Sequence, residues 1–318
     1  MTGWIEVPFE VQKPQEGLRV DAYLARRLNR TSRSFVQKLI DGGQVLLGGR
    51  AVKPATRVRA GQTVVVRYSR RLEPPPTAKK LAVLYEDDWL LAVDKPGQML
   101  SHPTDKIVQN AVTTILKRQC GEPKPHLVHR LDRETSGVLL LAKDPSTARL
   151  LAAAFSERAI RKEYVALVAG RVAWARRTVD APIGYQGGEI RVRQAVGSGQ
   201  AAVTDFERLA AGRDMSLVAA RPRTGRLHQI RVHLASLGHV IIGDKLYTSD
   251  GGFYLKAVRK ELQPEDLTTL GAPRQMLHAR ALELRHPITE QTLRVEAPLP
   301  DDFQACLAAA GIEWHHAG

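Results

Sequence analysis

A nine-residue segment carries the residue types and spacing best suited to chemistry. Residues 129–137 read His-Arg-Leu-Asp-Arg-Glu-Thr-Ser-Gly and place Asp132 between Arg130 and Arg133. Flanking cations favour the ionised carboxylate and lower its pKa. Such an anion suits a nucleophile or an ion-pair partner, whereas a general acid must be protonated. The spacing alone also allows a solvated loop with a surface salt bridge, which contributes little energy.

The neighbouring elements must hold this segment in place. The apolar run 138–141 predicts a buried strand, so Asp132 is expected on a loop at the edge of a sheet. The whole segment resembles the catalytic motif of the RluA-type pseudouridine synthases. The resemblance implies that Asp132 is the catalytic aspartate and that Arg130 enters the RNA stack where the target uridine leaves it. It also implies RNA contacts from Arg133 and His129, with support of the loop as the alternative role of His129.

A second candidate element is the segment 161–168, in which Tyr164 lies among apolar residues on a predicted strand. A tyrosine in this setting can equally be a core residue with a hydrogen-bonded hydroxyl. In the resembled family a Lys-x-Tyr strand supplies the ring that packs on the target base. Lys162 and Tyr164 match that spacing, which implies a catalytic role for Tyr164 and an RNA contact for Lys162.

A third element is a predicted amphipathic helix over residues 226–237. At 100° per residue its apolar stripe comprises Leu227, Ile230, Leu234 and Leu237. Arg231 falls inside the stripe, and a buried guanidinium needs a partner because it cannot deprotonate. We predict a bidentate pair with Asp132, the alternative being that Arg231 extends along its stem to solvent.

The same helix resembles the third motif of these synthases, in which an arginine pairs with the catalytic aspartate. The resemblance assigns that role to Arg231 and leaves Arg226 as the second choice or as an RNA contact. It also implies that His228 and Gln229 lie at the RNA-binding surface.

The charge of the chain is concentrated near its N-terminus. The formal net charge is +14 at pH 7, which points to a polyanionic partner. Residues 17–72 carry 13 Lys and Arg against only two acids, Asp21 and Asp41. This region is not one long amphipathic helix, so nucleic acid is favoured over a membrane surface.

The pattern within 17–72 predicts two short helices followed by a small β-hairpin. Thr31 or Ser32 is expected to cap the second helix, and Gly48-Gly49 is expected to form the hairpin turn between strands at 45–47 and 64–68. This order resembles the alpha-L RNA-binding module first associated with a small-subunit ribosomal protein. The resemblance implies that Arg33 and Lys38 contact RNA. A small helical domain with a solvated basic face is the alternative.

Three consecutive prolines at 74–76 favour a polyproline spacer. We therefore predict an N-terminal alpha-L RNA-binding domain at 1–72, a proline-rich linker at 73–80 and a pseudouridine synthase catalytic domain at 81–318. Strands are predicted at 81–85, 90–93, 138–142, 163–168, 190–193, 202–209 and 217–221, with a turn at 94–97 and helices at 145–155 and 226–237. This order predicts an α+β fold with a mostly antiparallel, mixed central sheet and flanking helices.

Several classes of protein lack their signatures here. Two distant cysteines, Cys120 and Cys306, argue against a disulfide framework and fit a reducing cytoplasm. His228 and His233 have no acid at the spacing of a zinc site, and residues 197–199 are expected to form a hairpin turn rather than a dinucleotide loop. No apolar run approaches the ~20 residues that span a bilayer. We therefore expect no metal, no cofactor and no membrane partner.

Two function classes remain. The first is an RNA-modifying enzyme, a monomer that isomerises specific uridines, with large-subunit (23S) ribosomal RNA preferred and transfer RNA as the alternative. The second is a non-catalytic RNA-binding or ribosome-assembly protein on the same fold. The joint presence of Asp132, Tyr164 and Arg231 favours the enzyme.

Overall fold

The computed structural model describes residues 3–28, 33–70, 77, 80–104, 107–121 and 125–314. The chain divides into two units, Met1–Pro74 and Pro75–Gly318. Of the predicted linker at 73–80, only Thr77 and Lys80 are among the described residues, and the predicted caps Thr31 and Ser32 lie outside them.

In the described part of the N-terminal unit, two helices share a core with an antiparallel sheet of strand order β1-β4-β2-β3. The elements are β1 (Gly3–Glu10), α1 (Val20–Arg27), α2 (Arg33–Asp41), β2 (Val45–Leu47), β3 (Arg50–Ala51) and β4 (Thr63–Arg70). The two helices and strands β2 and β4 confirm the predicted elements, but the Gly48-Gly49 turn joins β2 to the short β3 rather than to β4, and β1 is a further addition. Gly48 and Gly49 have φ values of 58° and 79°, as a two-residue turn between twisted strands requires.

Within the described residues of the second unit, ten strands form one sheet. Its strands are β5 (Ala82–Glu86), β6 (Leu90–Lys95), β7 (His126–Leu127), β8 (Ser136–Ala142), β9 (Arg161–Ala169), β10 (Arg176–Asp180), β13 (Val203–Ala211), β14 (Met215–Pro222), β15 (Leu277–Arg285) and β16 (Thr292–Glu296); β11 (Ile183–Tyr185) and β12 (Gln194–Val196) form a separate hairpin. The order is β10-β13-β14-β9-β15-β8-β6-β5, with β16 beside β15 and β7 beside β8. Only β8 and β15 pair in parallel among these described strands, so the predicted, mostly antiparallel mixed sheet is confirmed.

Helices cover both faces of this sheet. They are α3 (Val112–Cys120), α4 (Pro145–Ser156), α5 (Gln229–Ser236), α6 (Gly252–Arg259), α7 (Pro264–Leu270) and α8 (Asp301–Ala309). Alternate residues of β8 point to opposite faces, so Leu139 packs with Leu116 of α3 and Leu140 with Leu151 of α4. Burial on both faces explains why β8 reads as a continuous apolar run.

Three local predictions were wrong. Residues 190–193 form a turn, closed by the Arg193 amide donating to the Ile190 carbonyl, because buried Ile190 holds this segment against the hairpin core. The predicted turn at 94–97 begins two residues late, since β6 continues through Lys95. Helix α5 begins at Gln229 rather than at residue 226, because His228 has a left-handed backbone (φ 57°) that an α-helix cannot include.

Candidate active site

Asp132 lies on the loop that leads into β8, at the edge of the sheet as predicted. Buried Ser101 clamps the preceding residue: its hydroxyl donates to the Leu131 carbonyl (3.0 Å) and accepts from the Leu131 amide (3.2 Å). Gly137 follows at φ 106°, where a Cβ atom would lie 2.2 Å from the Ala279 carbonyl oxygen of β15. Only glycine permits this close approach of β8 to β15, which fixes where the loop ends.

Arg231 of α5 contacts Asp132 directly. Its Nη1 donates to Asp132 Oδ2 at 2.9 Å, although 99 residues separate the two in the chain. The bidentate contact is made elsewhere, because Nε and Nη2 donate to the two carboxylate oxygens of Asp244 at 2.7 and 2.9 Å. The predicted bidentate pair with Asp132 was therefore wrong in geometry: Arg231 bridges two carboxylates and gives Asp132 a single hydrogen bond.

The charge on Asp132 results from two opposing effects. Burial raises the pKa of its carboxyl group, and the Arg231 charge and hydrogen bonds from Arg231 and Gln275 lower it by more. The net effect holds the pKa of Asp132 below its ordinary value, so the group is an anion at neutral pH. The cation responsible is Arg231, the predicted partner of Asp132; the flanking Arg130 and Arg133, the other expected source of a low pKa, are not among its main causes.

Asp244 is a site residue that sequence reasoning missed. It is only 1% exposed, and besides Arg231 it accepts hydrogen bonds from the backbone amides of Leu246 and Tyr247. The Tyr247 ring lies 5.1 Å from the Arg231 guanidinium carbon. Asp244 therefore fixes the plane of the guanidinium and directs its remaining edge at Asp132. The available signal is the need of a buried arginine for an acid, which the sequence-based prediction assigns to Asp132 alone.

His228 lies between this network and the cavity. Its Nδ1 is 3.1 Å from the Tyr247 hydroxyl, and its Nε2 is 4.0 Å from Asp132 Oδ2. Burial, aided by the Arg231 charge, lowers the pKa of His228 to about 4. The ring is therefore neutral at pH 7 and adds hydrogen-bonding capacity beside Asp132 rather than a second positive charge.

Tyr164 and Lys162 extend from β9 into the same cavity as Asp132. Burial and the nearby Asp132 charge raise the pKa of the Tyr164 hydroxyl, which stays protonated at neutral pH. The Lys162 ammonium donates to the Thr224 carbonyl at 3.3 Å, and burial lowers its pKa. The cavity thus presents an anion, a neutral phenol and a cation on neighbouring walls.

This cavity has a volume of about 560 Å³, which suits a small molecule or an extruded nucleotide. It is lined by basic side chains as well as by the groups above: Arg130, Arg158, Arg223, Arg226 and Arg231. The Arg130 side chain is exposed and makes no hydrogen bond or ion pair with the described residues. Arg226 donates through Nε to the Ala201 carbonyl at 3.0 Å. Arg130 is therefore free to meet a ligand.

Three residues predicted to contact RNA have side chains that instead contact other groups of the protein: Gln229, His129 and Arg133. Gln229 is 4% exposed, and both ends of its amide are occupied by Thr224, the Arg226 amide, Val203 and Thr204. The His129 Nε2 accepts from the Leu140 amide (2.9 Å), its ring stacks on Phe155, and burial lowers its pKa to about 3. Gln229 is therefore a structural residue, and His129 has the alternative role of supporting the loop.

Arg133 is the third of these contacts. Its side chain is exposed, does not line the cavity, and donates through Nε to the Gln98 carbonyl at 3.3 Å. Its backbone carbonyl accepts from the ammonium of fully buried Lys95, which also donates to the Pro96 and Met99 carbonyls. Burial lowers the pKa of Lys95 to about 7. Lys95, like Asp244, supports the site through contacts that no local signal in the sequence predicts.

The N-terminal unit contains the remaining predicted contacts, Arg33 and Lys38. Asp21 is fully buried and accepts hydrogen bonds from Arg19, Arg33 and Gln37 at 3.0 to 3.3 Å. Burial raises the pKa of Asp21, and these partners lower it by more. One carboxylate therefore orients two half-exposed guanidinium groups, and Lys38 is exposed on the same helix as Arg33.

The described ranges contain neither a cluster of metal ligands nor a membrane-spanning helix. No three His, Cys, Asp or Glu side chains there converge as metal ligands. No helix in the same ranges is long and apolar enough to cross a bilayer.

Comparison with known proteins supports the motif resemblances. A family model described as RNA pseudouridylate synthase matches residues 89–236, and one described as S4 domain matches residues 18–64. Ribosomal large subunit pseudouridine synthase D of Pseudomonas aeruginosa is 33% identical over 94% of this chain and 92% of its own length. The protein of the same name from Xanthomonas campestris is 35% identical, over 92% and 89%. The solved structure of human RNA Pseudouridylate Synthase Domain Containing 1 has a TM-score of 0.59 and 27% identity, covering 74% of this chain and 90% of that one.

Proposed function

Because the chain belongs to the RluA-type family of RNA pseudouridine synthases, we propose that it isomerises specific uridines to pseudouridine in large-subunit (23S) ribosomal RNA. The observation that carries the proposal is the ion pair between Asp132 and Arg231 in a cavity that Tyr164 also lines. An anion locked beside a nucleotide-sized cavity is what release of a base from its sugar requires.

The reaction exchanges one bond for another. The glycosidic bond from N1 of uracil to the sugar breaks, the base rotates, and C5 of uracil joins the same sugar carbon. C5 loses its proton and N1 gains one, so the atoms balance. There is no net oxidation or reduction. Asp132 supplies the anion that releases the base, and Arg231 keeps that anion charged and directed.

Tyr164 and Arg130 hold the extruded nucleotide and the gap it leaves. The base must leave its stack for its carbons to be reached. The Tyr164 ring packs on the uracil, and its protonated hydroxyl lies near the C5 hydrogen that is lost. Arg130, whose guanidinium has no partner among the described side chains, fills the vacated position in the RNA stack.

The choice of RNA follows from the relatives, two of which are named as ribosomal large subunit enzymes. We expect pseudouridine at one or more large-subunit positions to disappear when the gene is disrupted and to return with the wild-type chain but not with Asp132→Asn. Mapping pseudouridine across total RNA checks this. If pseudouridine disappeared from transfer RNA alone, transfer RNA would be the substrate in place of large-subunit RNA. A pseudouridine map unchanged by the disruption would favour the non-catalytic RNA-binding class.

The basic N-terminal unit is proposed to add phosphate contacts. The double variant Arg33→Gln, Lys38→Gln should weaken RNA binding and reduce the slope of log affinity against log salt by about 1.4–1.8, because each lost contact removes about 0.7–0.9. Fluorescence anisotropy over a salt series measures both. The control variant Arg171→Gln, Arg213→Gln removes two exposed charges of the catalytic unit that lie outside the cavity lining, and it should leave the slope unchanged. Equal slopes for the two double variants would exclude this role.

All groups of the proposed mechanism come from one chain. We therefore propose that the enzyme acts as a monomer, in the cytoplasm with the RNA that it modifies.

A further inference from the structure

A second pocket adjoins the cavity that contains Asp132. Its volume is about 680 Å³, and it shares four wall residues with the first: Arg158, Lys162, Pro222 and Arg223. The two are therefore adjacent spaces separated by a common wall. The second pocket has no part in the proposed chemistry, since neither Asp132 nor Tyr164 lines it.

The lining of the second pocket is basic, with six cations against three carboxylates. Most of its arginines are already engaged by acids: Arg161 with Glu283, Arg221 with Glu163, Arg223 with Asp205, and Arg294 with Glu283 and Glu296. Arg158 differs, because its guanidinium has neither an ion pair nor a hydrogen bond among the described residues. The uncompensated positive charge therefore lies at the wall between the two pockets.

The backbone of Arg158 has a left-handed conformation that is unusual for an arginine. The residue follows α4 with φ 62°, its amide donates to the Phe155 carbonyl, and the next amide donates to the Ala154 carbonyl. This pattern ends a helix with a left-handed residue, a position where glycine is strongly preferred. Arg158 therefore has an unfavourable backbone conformation for its residue type, and its charge lies where the two pockets adjoin.

We propose that the second pocket binds the nucleotide adjacent to the target uridine in the RNA strand, with Arg158 contacting the phosphate that joins the two. This inference rests on the proposed function, since it takes the first cavity as the uridine site. A phosphodiester crossing the shared wall would meet the one lining arginine without an acidic partner. Arg158 would thereby set the register of the strand relative to Asp132.

The test compares two substitutions at equivalent backbone positions. Lys260 ends α6 in the same pattern, with φ 64°, and lines neither pocket. Arg158→Gly and Lys260→Gly each remove one cation and place glycine where glycine is favoured, so neither should lower the melting temperature. Binding is measured by anisotropy with a stem–loop fragment of large-subunit RNA, in the Asp132→Asn background to prevent turnover.

We expect Arg158→Gly to raise the Kd about tenfold and to reduce the salt slope by about 0.7–0.9, with less than a twofold effect from Lys260→Gly. A stem–loop with an uncharged methylphosphonate linkage beside the uridine should bind the chain with Arg158 about tenfold more weakly than the unmodified stem–loop does. The Arg158→Gly variant should bind the two stem–loops with nearly the same affinity. Equal affinities for the two glycine variants, or losses that simply add, would overturn the proposal. Because the readout is binding, it can succeed or fail whatever the pseudouridine map shows.

Discussion

We expect the Asp132→Asn variant to bind RNA with wild-type affinity and to form pseudouridine at least about a thousandfold more slowly. Asparagine keeps the size and most hydrogen bonds of the side chain but lacks the negative charge that releases the base. The fold should survive, because Arg231 keeps its two hydrogen bonds to Asp244. Tritium release from RNA labelled at C5 of uridine measures turnover, since that hydrogen must leave.

A matched variant separates this effect from a general loss of charge. Asp88 is exposed on the turn before β6 and lies outside the cavity, so Asp88→Asn should retain full turnover. Tritium release by Asp132→Asn at the rate of Asp88→Asn would remove Asp132 from the mechanism. Loss of both turnover and RNA binding would assign Asp132 to the structure of the loop instead.

The second large effect concerns Arg231. Replacing it by methionine leaves Asp132 and Asp244 facing each other without a cation, and Asp244 is fully buried. Breaking a buried ion pair by removing one partner costs about 3–5 kcal/mol. Urea unfolding should show that Arg231→Met lowers the free energy of unfolding by that amount. Arg285→Met, which removes an exposed pair with Glu290, should cost less than about 1 kcal/mol.

Arg231→Lys tests the same residue in a folded enzyme. A lysine ammonium is a single point charge and cannot hold both oxygens of Asp244 while also reaching Asp132. With the Arg231 contribution weakened, burial dominates and the pKa of Asp132 rises. Because only the anion reacts, the acid limb of the pH–rate profile should move to higher pH, together with a lower plateau.

The direction of this shift distinguishes positioning from mere packing. In the wild-type enzyme the pKa of Asp132 is lowered, so the pair stabilises the fold at neutral pH and loses this contribution only as the pH falls below the ordinary aspartate value of about 3.9. Turnover measured from pH 4.5 to 6, below the pKa of about 7 of Lys95, should therefore be nearly flat for the wild type and should fall on the acid side for Arg231→Lys. A lower plateau with an unmoved acid limb would contradict the electrostatic role.

Local signals in the sequence determined most of the elements. Asp144 followed by Pro145 predicted the start of α4, and the Asp144 carboxylate does accept from the amides of Ser146 and Thr147. The apolar run before Ala142 predicted strand β8, and the Gly48-Gly49 pair predicted the turn that follows β2. These signals act over a few residues, so the chain displays them without reference to its fold.

The sequence also determined that Arg231 needs an acid, because an arginine within an apolar stripe cannot lose its charge. It did not determine which acid. Asp132 and Asp244 both lie near Arg231 in space, and the orientation of one guanidinium decides that Asp244 takes two hydrogen bonds and Asp132 one. Asp244, which fixes that orientation, is brought to Arg231 by tertiary packing that helix periodicity does not show.

The tertiary structure alone decided which polar residues are available to RNA. Gln229 and Arg158 are both polar in sequence, yet one has its amide fully occupied inside the protein and the other has a guanidinium without a partner in the described structure. The difference arises because burial and hydrogen-bond competition depend on strands and loops distant in the chain. A residue type states what a side chain can bind, and only the packed fold states whether that capacity is already used.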